Sequence, residues 1–454
     1  MEHNRRDWDW HTSPLDFNGL DSIAAKVGTP FWLYDAGTLK RRIGAVKRVA
    51  AEGGVMARYA MKACSATRVV REMLANGIWI DAVSGNEVVR AIRAGAAPGQ
   101  SPPVVVLTAD VFRDNALDAI MQYGILPNIG SPGMLDELAR AGYKGNIAIR
   151  INPGFGHGHV NACDTGGPSS KHGIWFSQAE EIARQAALHA MKVVMLHAHI
   201  GSGPQMEELL ANLRRLANEF ARTAPIFPEL EAFSFGGGIP HSYHEENPEK
   251  ALNDEIAPLG PLFHEVVKRL RETTRREVRV EIEPGRYFVA PCAKLVARVT
   301  DIKKTEPRSA STPSGEKGGG QTFIMVDAGF VDLLRPAMYG SYHRISTYGP
   351  SKSGPPPVAR PVFVAGPLCE SGDVFTRDAS DFIAPRDLPL PAKGDLLVIH
   401  DAGAYGYAMS SNYNSVGRAP QVWIGEDGAA ALISRRETVD DILRLETDSP
   451  LAAL

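Results

Sequence analysis

The sequence predicts an α/β protein, a TIM-like (β/α)8 barrel followed by a mainly β C-terminal domain. Three observations carry that prediction. Between about residue 56 and residue 286, short β-prone apolar runs alternate with helix-patterned segments, the order that gives parallel strands joined by helices. Beyond residue 286 strand-like runs continue but helical patterns thin out. The 454 residues exceed what one ordinary core fills, so the length suits two domains or a large barrel with an appendage.

The barrel strands are expected at 56–59, 78–83, 104–108, 125–128, 146–151, 193–199, 232–235 and 278–283. Helical patterns fall between them: ATRVVREMLANG, NEVVRAIRAG, SPGMLDELARAG, QAEEIARQAALHA and MEELLANLRRLANEFART. Eight such units close a barrel naturally. An open doubly wound sheet is the competing architecture, but no GxGxxG follows a first strand. After the barrel, KLVARVTDI, TFIMVDAG, PVFVAGPL and DLLVIHDAG read as strands of the β domain, and TVDDILRLE as a last helix. PFWLYD, ahead of the barrel, is placed to add a strand to that domain. The boundaries expected are an N-terminal segment over 1–35, a barrel over 36–290 and a β domain over 291–454. PRSASTPSGEKGGGQ and GPSKSGPPPVARP read as exposed loops.

Composition narrows the function classes. Lys plus Arg is 49 and Asp plus Glu 52, a net charge of -3 that makes no case for nucleic acid or an anionic membrane. The apolar stretches are too short and interrupted for a transmembrane helix, and MEHNRRDWDWHTSPLD lacks the apolar core of a secretory signal. The four cysteines, Cys64, Cys163, Cys292 and Cys369, are too scattered for a disulfide framework or a CxxC zinc site. A cytoplasmic setting is the expectation.

A barrel carries its chemistry at the C-terminal ends of its strands. Lys62 follows the first strand, Asp81 and Ser84 end the second, and Arg150 and Asn152 end the fifth. His199 ends the sixth, before Gly201-Ser202-Gly203. Gly236, Gly237 and Gly238 follow the seventh, and Glu283 and Arg286 end the eighth. A lysine desolvated at a strand's end is a nucleophilic amine that forms Schiff bases with aldehydes. From its segment alone Lys62 reads better as a lysine snorkelling from an edge strand. The triple glycine suits a phosphate nest, and its place matches the usual barrel phosphate site. On the tripeptide alone, a flexible turn explains it about as well. In EIEPGR, Glu283 is placed to hold a protonated ring nitrogen, and the Pro-Gly turn to aim Arg286 at an anion. His197 and His199 share a strand face, as a metal pair would, and His157 and His159 raise the same question in a glycine-rich loop. No third ligand has motif-like spacing, so no metal is expected.

Taken in order, YAMKAC, RINPGFGHGH, TGGPSSKHGIW, HAHIGSG, FGGG, EIEPGRYFV, VDAGFVDLLRPAMYGSYH, AGPLCESGDVF and DAGAYGYAMSSNYNS resemble the fold-type III pyridoxal-phosphate-dependent decarboxylases. CESGD with RPAMY resembles the diaminopimelate branch rather than the ornithine one. The resemblance implies a barrel plus a β domain, the cofactor pyridoxal 5'-phosphate, and decarboxylation of meso-2,6-diaminopimelate to L-lysine and carbon dioxide. It implies that Lys62 is the Schiff-base lysine, that His199 stacks on the ring and that Glu283 pairs with its nitrogen. Asp81, Ser202, Gly236, Gly237, Gly238, Gly285, Arg286 and Tyr405 would surround the cofactor. Arg286, Arg335, Tyr339, Glu370 and Tyr405 would contact substrate, and Cys369 would return the proton. It also implies a homodimer in which Cys369 and Glu370 enter the partner's site. The chain departs from many relatives at Val416-Gly417, where they carry Arg-Pro, and at His172, where they carry Phe. The competing functions are a decarboxylase of another basic or diamino acid, a non-catalytic cofactor-binding or regulatory homologue, and a glycosidase using Glu281 and Glu283. The last is disfavoured because glycosidase carboxylates face each other across a bond.

Overall fold

The computed structural model describes residues 17–156, 165–201, 205–244, 256–306, 320–349, 358–378 and 382–449. The first strand, Phe31–Asp35 (β1), leads into the helix Ala36–Gly53. Then come Met56–Ala60 (β2), Trp79–Ala82 (β3), Val105–Ala109 (β4), Leu126–Ile129 (β5) and Asn146–Asn152 (β6). Ile174–Trp175 (β7), Lys192–His197 (β8), Ala232–Ser234 (β9) and Arg279–Ile282 (β10) complete this region. Contacts divide the chain into two units, Leu39–Val289 on one side and Met1–Thr38 with Ala290–Leu454 on the other.

In the Leu39–Val289 unit all strand pairings are parallel. β2, β3, β4, β5, β6, β8, β9 and β10 follow one another around a ring, closed by pairing of β10 with β2. β7 adds a two-residue ladder to the end of β6. The closed eight-stranded barrel is thus the architecture the alternation predicted, and each expected strand lies within a residue or two of its place. Val106, Leu126, Ala148, Val194, Met195 and Ala232 form one apolar cluster along these strands.

The helices form where their sequences signal ends and faces. Gly85–Ala94 begins at Ser84, whose hydroxyl accepts from the Glu87 amide at 3.1 Å, and ends at Gly95 with φ +114°. The Glu87 carboxylate also accepts from the Val83 amide at 2.8 Å, securing the turn from β3 into the helix. Met206–Thr223 buries Leu209, Leu213, Leu216 and Phe220, a stripe at helical spacing.

The other unit is built on a nine-stranded sheet. To β1 it adds Ala293–Lys304 (β11), Thr322–Val326 (β12), Ile345–Tyr348 (β13), Ala359–Ala365 (β14), Arg386–Pro389 (β15), Leu396–Ile399 (β16), Gln421–Ile424 (β17) and Ala430–Ser434 (β18). β1 lies between β11, antiparallel, and β17, parallel. Phe31, Leu33, Val296, Leu396, Val398, Val422 and Ile424 pack with Leu20 and Ile23 of the helix Phe17–Val27 in one core. A short helix, Val439–Leu443, closes this unit behind a Thr438–Asp441 capping box. Four strands here, β13, β15, β17 and β18, had no counterpart among the predicted ones.

Candidate active site

The C-terminal ends of the barrel strands gather the polar residues of the Leu39–Val289 unit. Lys62 lies in a 3-10 turn, Met61–Ala63, directly after β2; its neighbours Met61 and Ala63 are buried while Lys62 itself is exposed. β2 is an inner barrel strand paired on both sides, so Lys62 leaves the rim rather than a sheet edge.

Glu283 follows β10 and is buried. Burial pushes its carboxyl up, but the His197 imidazole and the hydrogen bonds from His197 and Ser234 outweigh that and bring it down to about 2. His197 Nε2 lies 2.9 Å from Glu283 Oε2, and Ser234 Oγ donates to Oε1 at 2.6 Å. Glu283 is therefore a buried carboxylate that stays ionised. His197, read from spacing as half of a possible metal pair, is this carboxylate's partner. Among the described residues no group of three His, Cys, Asp or Glu is placed to hold a metal ion.

Asp81, on β3, shows the opposite behaviour. Burial, reinforced by the Glu283 charge and opposed by Lys62 and the Thr108 hydrogen bond, pushes it up to about 8. Thr108 Oγ1 donates to Asp81 Oδ1 at 2.7 Å and accepts from Asn128 Nδ2 at 3.1 Å, a polar chain across β3, β4 and β5. His199 is buried, and burial followed by the charges of Lys62 and Arg150 drives it well below the ordinary imidazole range. It is neutral at physiological pH. The Lys62 charge also contributes to the shifts of Asp81, Glu87 and His199.

The glycine loop after β9 is shaped by close approach. A Cβ on Gly236 would sit 2.8 Å from the Ala198 carbonyl oxygen, and one on Gly237 2.6 Å from that of Glu283. At Gly238, with φ +111°, it would meet the Gly201 carbonyl oxygen at 2.8 Å. Gly285 brings the Pro-Gly turn against Ala60, where a Cβ would be 3.0 Å from the carbonyl oxygen. Arg286 begins the helix Arg286–Val289 and donates from Nη1 to the Tyr243 hydroxyl at 3.1 Å. An exposed amine, a buried ionised carboxylate, a neutral imidazole and a backbone loop without side chains beside an arginine fit an aldehyde-bearing pyridine phosphate. Ser202, also expected here, lies outside the described residues, as do His157, His159 and Cys163.

Further down the barrel, Glu281 is committed elsewhere. Arg58 Nε donates to its Oε2 and Arg279 Nε to its Oε1, each at 2.5 Å, and Arg58 Nη2 donates to the Pro103 carbonyl at 2.8 Å. A carboxylate clamped between two guanidinium groups and fully buried cannot serve as a glycosidase acid.

The remaining expected residues stand in the β-sheet unit. Arg335 is buried, donating from Nη1 to His343 Nε2 at 3.2 Å and from Nη2 to Ser341 Oγ at 3.1 Å. Tyr339 ends the same short helix, Arg335–Tyr339, and is half-buried. Tyr405 takes φ +58°, a left-handed backbone that costs a non-glycine residue about 1–3 kcal/mol and tends to occur at ligand sites. Cys369 and Glu370 are exposed, on a segment held from beneath by Asp373. That carboxylate accepts from the amides of Phe330 at 2.7 Å and Leu368 at 2.8 Å.

Sequence reasoning missed Ser234, Thr108, Asn128 and Arg58. None lies in a motif, and each acts on a residue distant in the chain, so only inward placement on a strand would have marked them. The two departures have local roles. His172 bonds Asp110, which also accepts from the Gly173 amide at 3.0 Å. Gly417 precedes Arg418, whose amide and guanidinium both bond Glu437, at 2.9 and 3.0 Å.

Comparison with known proteins places the chain in a family. Residues 36–290 match the family model for the pyridoxal-dependent decarboxylase, pyridoxal binding domain. The chain is 39% identical over 438 residues to the diaminopimelate decarboxylase of Escherichia coli K12, covering 95% of this chain and 97% of that one. It is 40% identical over 435 residues to that of Streptomyces coelicolor, covering 96% and 93%. A crystal structure of a diaminopimelate decarboxylase superposes with a TM-score of 0.84 at 37% identity, over 98% of this chain and 99% of that one. That of Helicobacter pylori complexed with L-lysine does so at 0.76 and 26%, over 94% and 98%.

Proposed function

The chain belongs to the pyridoxal-dependent decarboxylases, in the diaminopimelate decarboxylase family, and on that premise we propose how its residues divide the work. It uses pyridoxal phosphate to decarboxylate meso-2,6-diaminopimelate, releasing L-lysine and carbon dioxide. The observation that carries our assignment of roles is the buried Glu283 carboxylate at the rim, which accepts from Ser234 Oγ at 2.6 Å and faces His197 Nε2 at 2.9 Å.

When bound, pyridoxal phosphate supplies a conjugated ring that accepts the electron pair left behind as the carboxylate departs. Lys62, just after β2, would hold the cofactor at its aldehyde through the nucleophilic Nζ. Glu283, a buried carboxylate bonded by His197 and Ser234, would keep a proton on the ring nitrogen, because an anion favours a cation beside it. His199, neutral and buried, offers a flat face to the ring without adding a competing charge. On the family resemblance Gly236, Gly237 and Gly238 would line the phosphate site with Arg286, Ser202, Gly285 and Tyr405; the Gly236 amide itself donates to Ser234 Oγ at 3.3 Å.

The substrate assignments rest on the same resemblance. Arg335, with Arg286, Tyr339 and Tyr405, takes the carboxylate that stays, and Glu370 takes the distal ammonium. Cys369 returns a proton to the α-carbon. Substrates lacking the second carboxylate leave those groups unpaired, which penalises them strongly. The reading includes a homodimer in which Cys369 and Glu370 serve the partner's site. It also includes a cytoplasmic setting; among the described residues no helix is long and apolar enough to cross a membrane.

Carbon dioxide release from meso-diaminopimelate, lysine, ornithine and arginine, with and without added cofactor, tests the reading. Only the first should turn over appreciably, and Lys62→Ala should abolish both turnover and the cofactor's protein-bound absorbance. Equal turnover of lysine or ornithine, or retained activity in the Lys62 variant, would refute it.

A further inference from the structure

The loop that leaves β9 is tied to the end of β10 at two points. At its start the Glu283 amide donates to the Gly236 carbonyl at 2.8 Å. Seven residues on, Arg286 Nη1 donates to the Tyr243 hydroxyl oxygen at 3.1 Å. The loop is therefore stapled to both halves of the segment Glu283-Pro284-Gly285-Arg286.

The Tyr243 ring is itself fixed from behind. His241 meets it edge-on, with ring centroids 4.8 Å apart and planes at 75°. His241 Nδ1 lies 3.3 Å from Arg42 Nη2. A guanidinium only donates, so this nitrogen accepts, and the ring proton of a neutral His241 sits on Nε2. Arg42 in turn lies over the ring of Tyr287, 4.3 Å from its centroid, and Tyr287 is the residue after Arg286. Arg42, His241, Tyr243 and Arg286 thus form one chain of contacts from the helix Ala36–Gly53 to the helix Arg286–Val289, with the glycine loop enclosed between its ties.

A guanidinium is a rigid planar fork with five donors, so fixing one corner sets the direction of the others. We propose that Tyr243 is the positioning residue for Arg286: its hydroxyl aims the guanidinium along the glycine loop so that it binds the cofactor's phosphate. This rests on the reading above that Arg286 is a phosphate ligand. The consequence is selective. Tyr243 contributes to binding of the phosphate and nothing to binding of the ring or aldehyde.

The test uses the full chain stripped of cofactor and titrated, by intrinsic fluorescence, with pyridoxal phosphate and separately with pyridoxal, which lacks the phosphate. Tyr243→Phe should weaken pyridoxal phosphate about tenfold and leave pyridoxal within about twofold, as expected for one lost hydrogen bond to a charged group. Arg286→Gln should act in the same sense and more strongly. Both affinities are measured within one variant, so a general loosening of the fold lowers them together and leaves their ratio unchanged. A Tyr243→Phe variant with the wild-type ratio, beside an Arg286→Gln variant that selectively loses pyridoxal phosphate, overturns the role of Tyr243 alone. An Arg286→Gln variant with the wild-type ratio overturns the phosphate assignment and the inference built on it.

Discussion

A carboxyl group buried as deeply as Glu283 would ordinarily give up its charge; it keeps it because two neighbouring strands supply the stabilisation. His197 ends β8 and Ser234 ends β9, so the barrel's own order brings an imidazole and a hydroxyl to the two oxygens of one carboxylate. Removing the Ser234 donor should raise the Glu283 pKa, and the sign of the stability change follows from linkage. The folded value, about 2, lies below the ordinary 4.5, so the interaction stabilises the fold above the ordinary value and is lost as pH falls towards the folded one. Ser234→Ala should therefore destabilise the protein at neutral pH by about 2 kcal/mol, the worth of a hydrogen bond to a charged group, and the difference should shrink in acid. Denaturation measured across a pH series checks this; a difference independent of pH would mean that Ser234 acts through packing. The sequence marks Glu283 because it lies in a motif with Pro-Gly and Arg286. It leaves Ser234 indistinct because a serine inside an apolar run has no local signature. Its role exists only once β9 lies between β8 and β10.

At the scale of elements, the barrel strands are legible because each is a short apolar run bounded by turn residues and followed by an amphipathic helix. In the β-sheet unit the strands that escaped notice, β13, β15, β17 and β18, are four or five residues long. No helical pattern punctuates them, and polar residues interrupt β15 with RDLP and β13 with ISTY. Their pairing partners, not their composition, make them strands. The glycine loop is the reverse case, an element that the sequence announces while leaving its purpose divided between a turn and an anion nest. Close approach decides it. Gly238 combines φ +111° with a carbonyl oxygen 2.8 Å from any added Cβ, so Gly238→Ala should cost about 1–3 kcal/mol and displace the loop. Gly133, at a helix start with nothing within 4 Å of its Cβ position, is the control, and Gly133→Ala should change the melting temperature little. Thermal melts of both, with pyridoxal phosphate retention for the first, measure the difference; a Gly238 variant as stable and as well loaded as the control would contradict the close-packed geometry.

For the whole molecule, the count of eight alternating units already implied closure, since a barrel leaves no strand edge to protect. The return of β1 to the later sheet depends on tertiary pairing across more than 250 residues, as Phe31 with Val296, and only the apolar character of PFWLYD hinted at it. Cys369 and Glu370 are solvent-facing, although the role proposed for them is inside a catalytic site, that of a second copy. Asp373 holds that segment in place from below, so a fixed yet uncovered pair of polar residues suits delivery to a second subunit. Mixing Lys62→Ala with Cys369→Ala subunits tests this directly. Each single variant should be nearly inactive. In a mixed dimer, one site would pair the surviving Lys62 of one subunit with the surviving Cys369 of the other and be complete. Random two-fold assembly makes half the dimers mixed, each with one intact site of two, so equal mixing should restore about a quarter of wild-type activity. Recovery measured after subunit exchange, with dimer composition verified by differently tagged copies, gives the answer. Verified mixed dimers that remain inactive would place Cys369 in the service of its own chain.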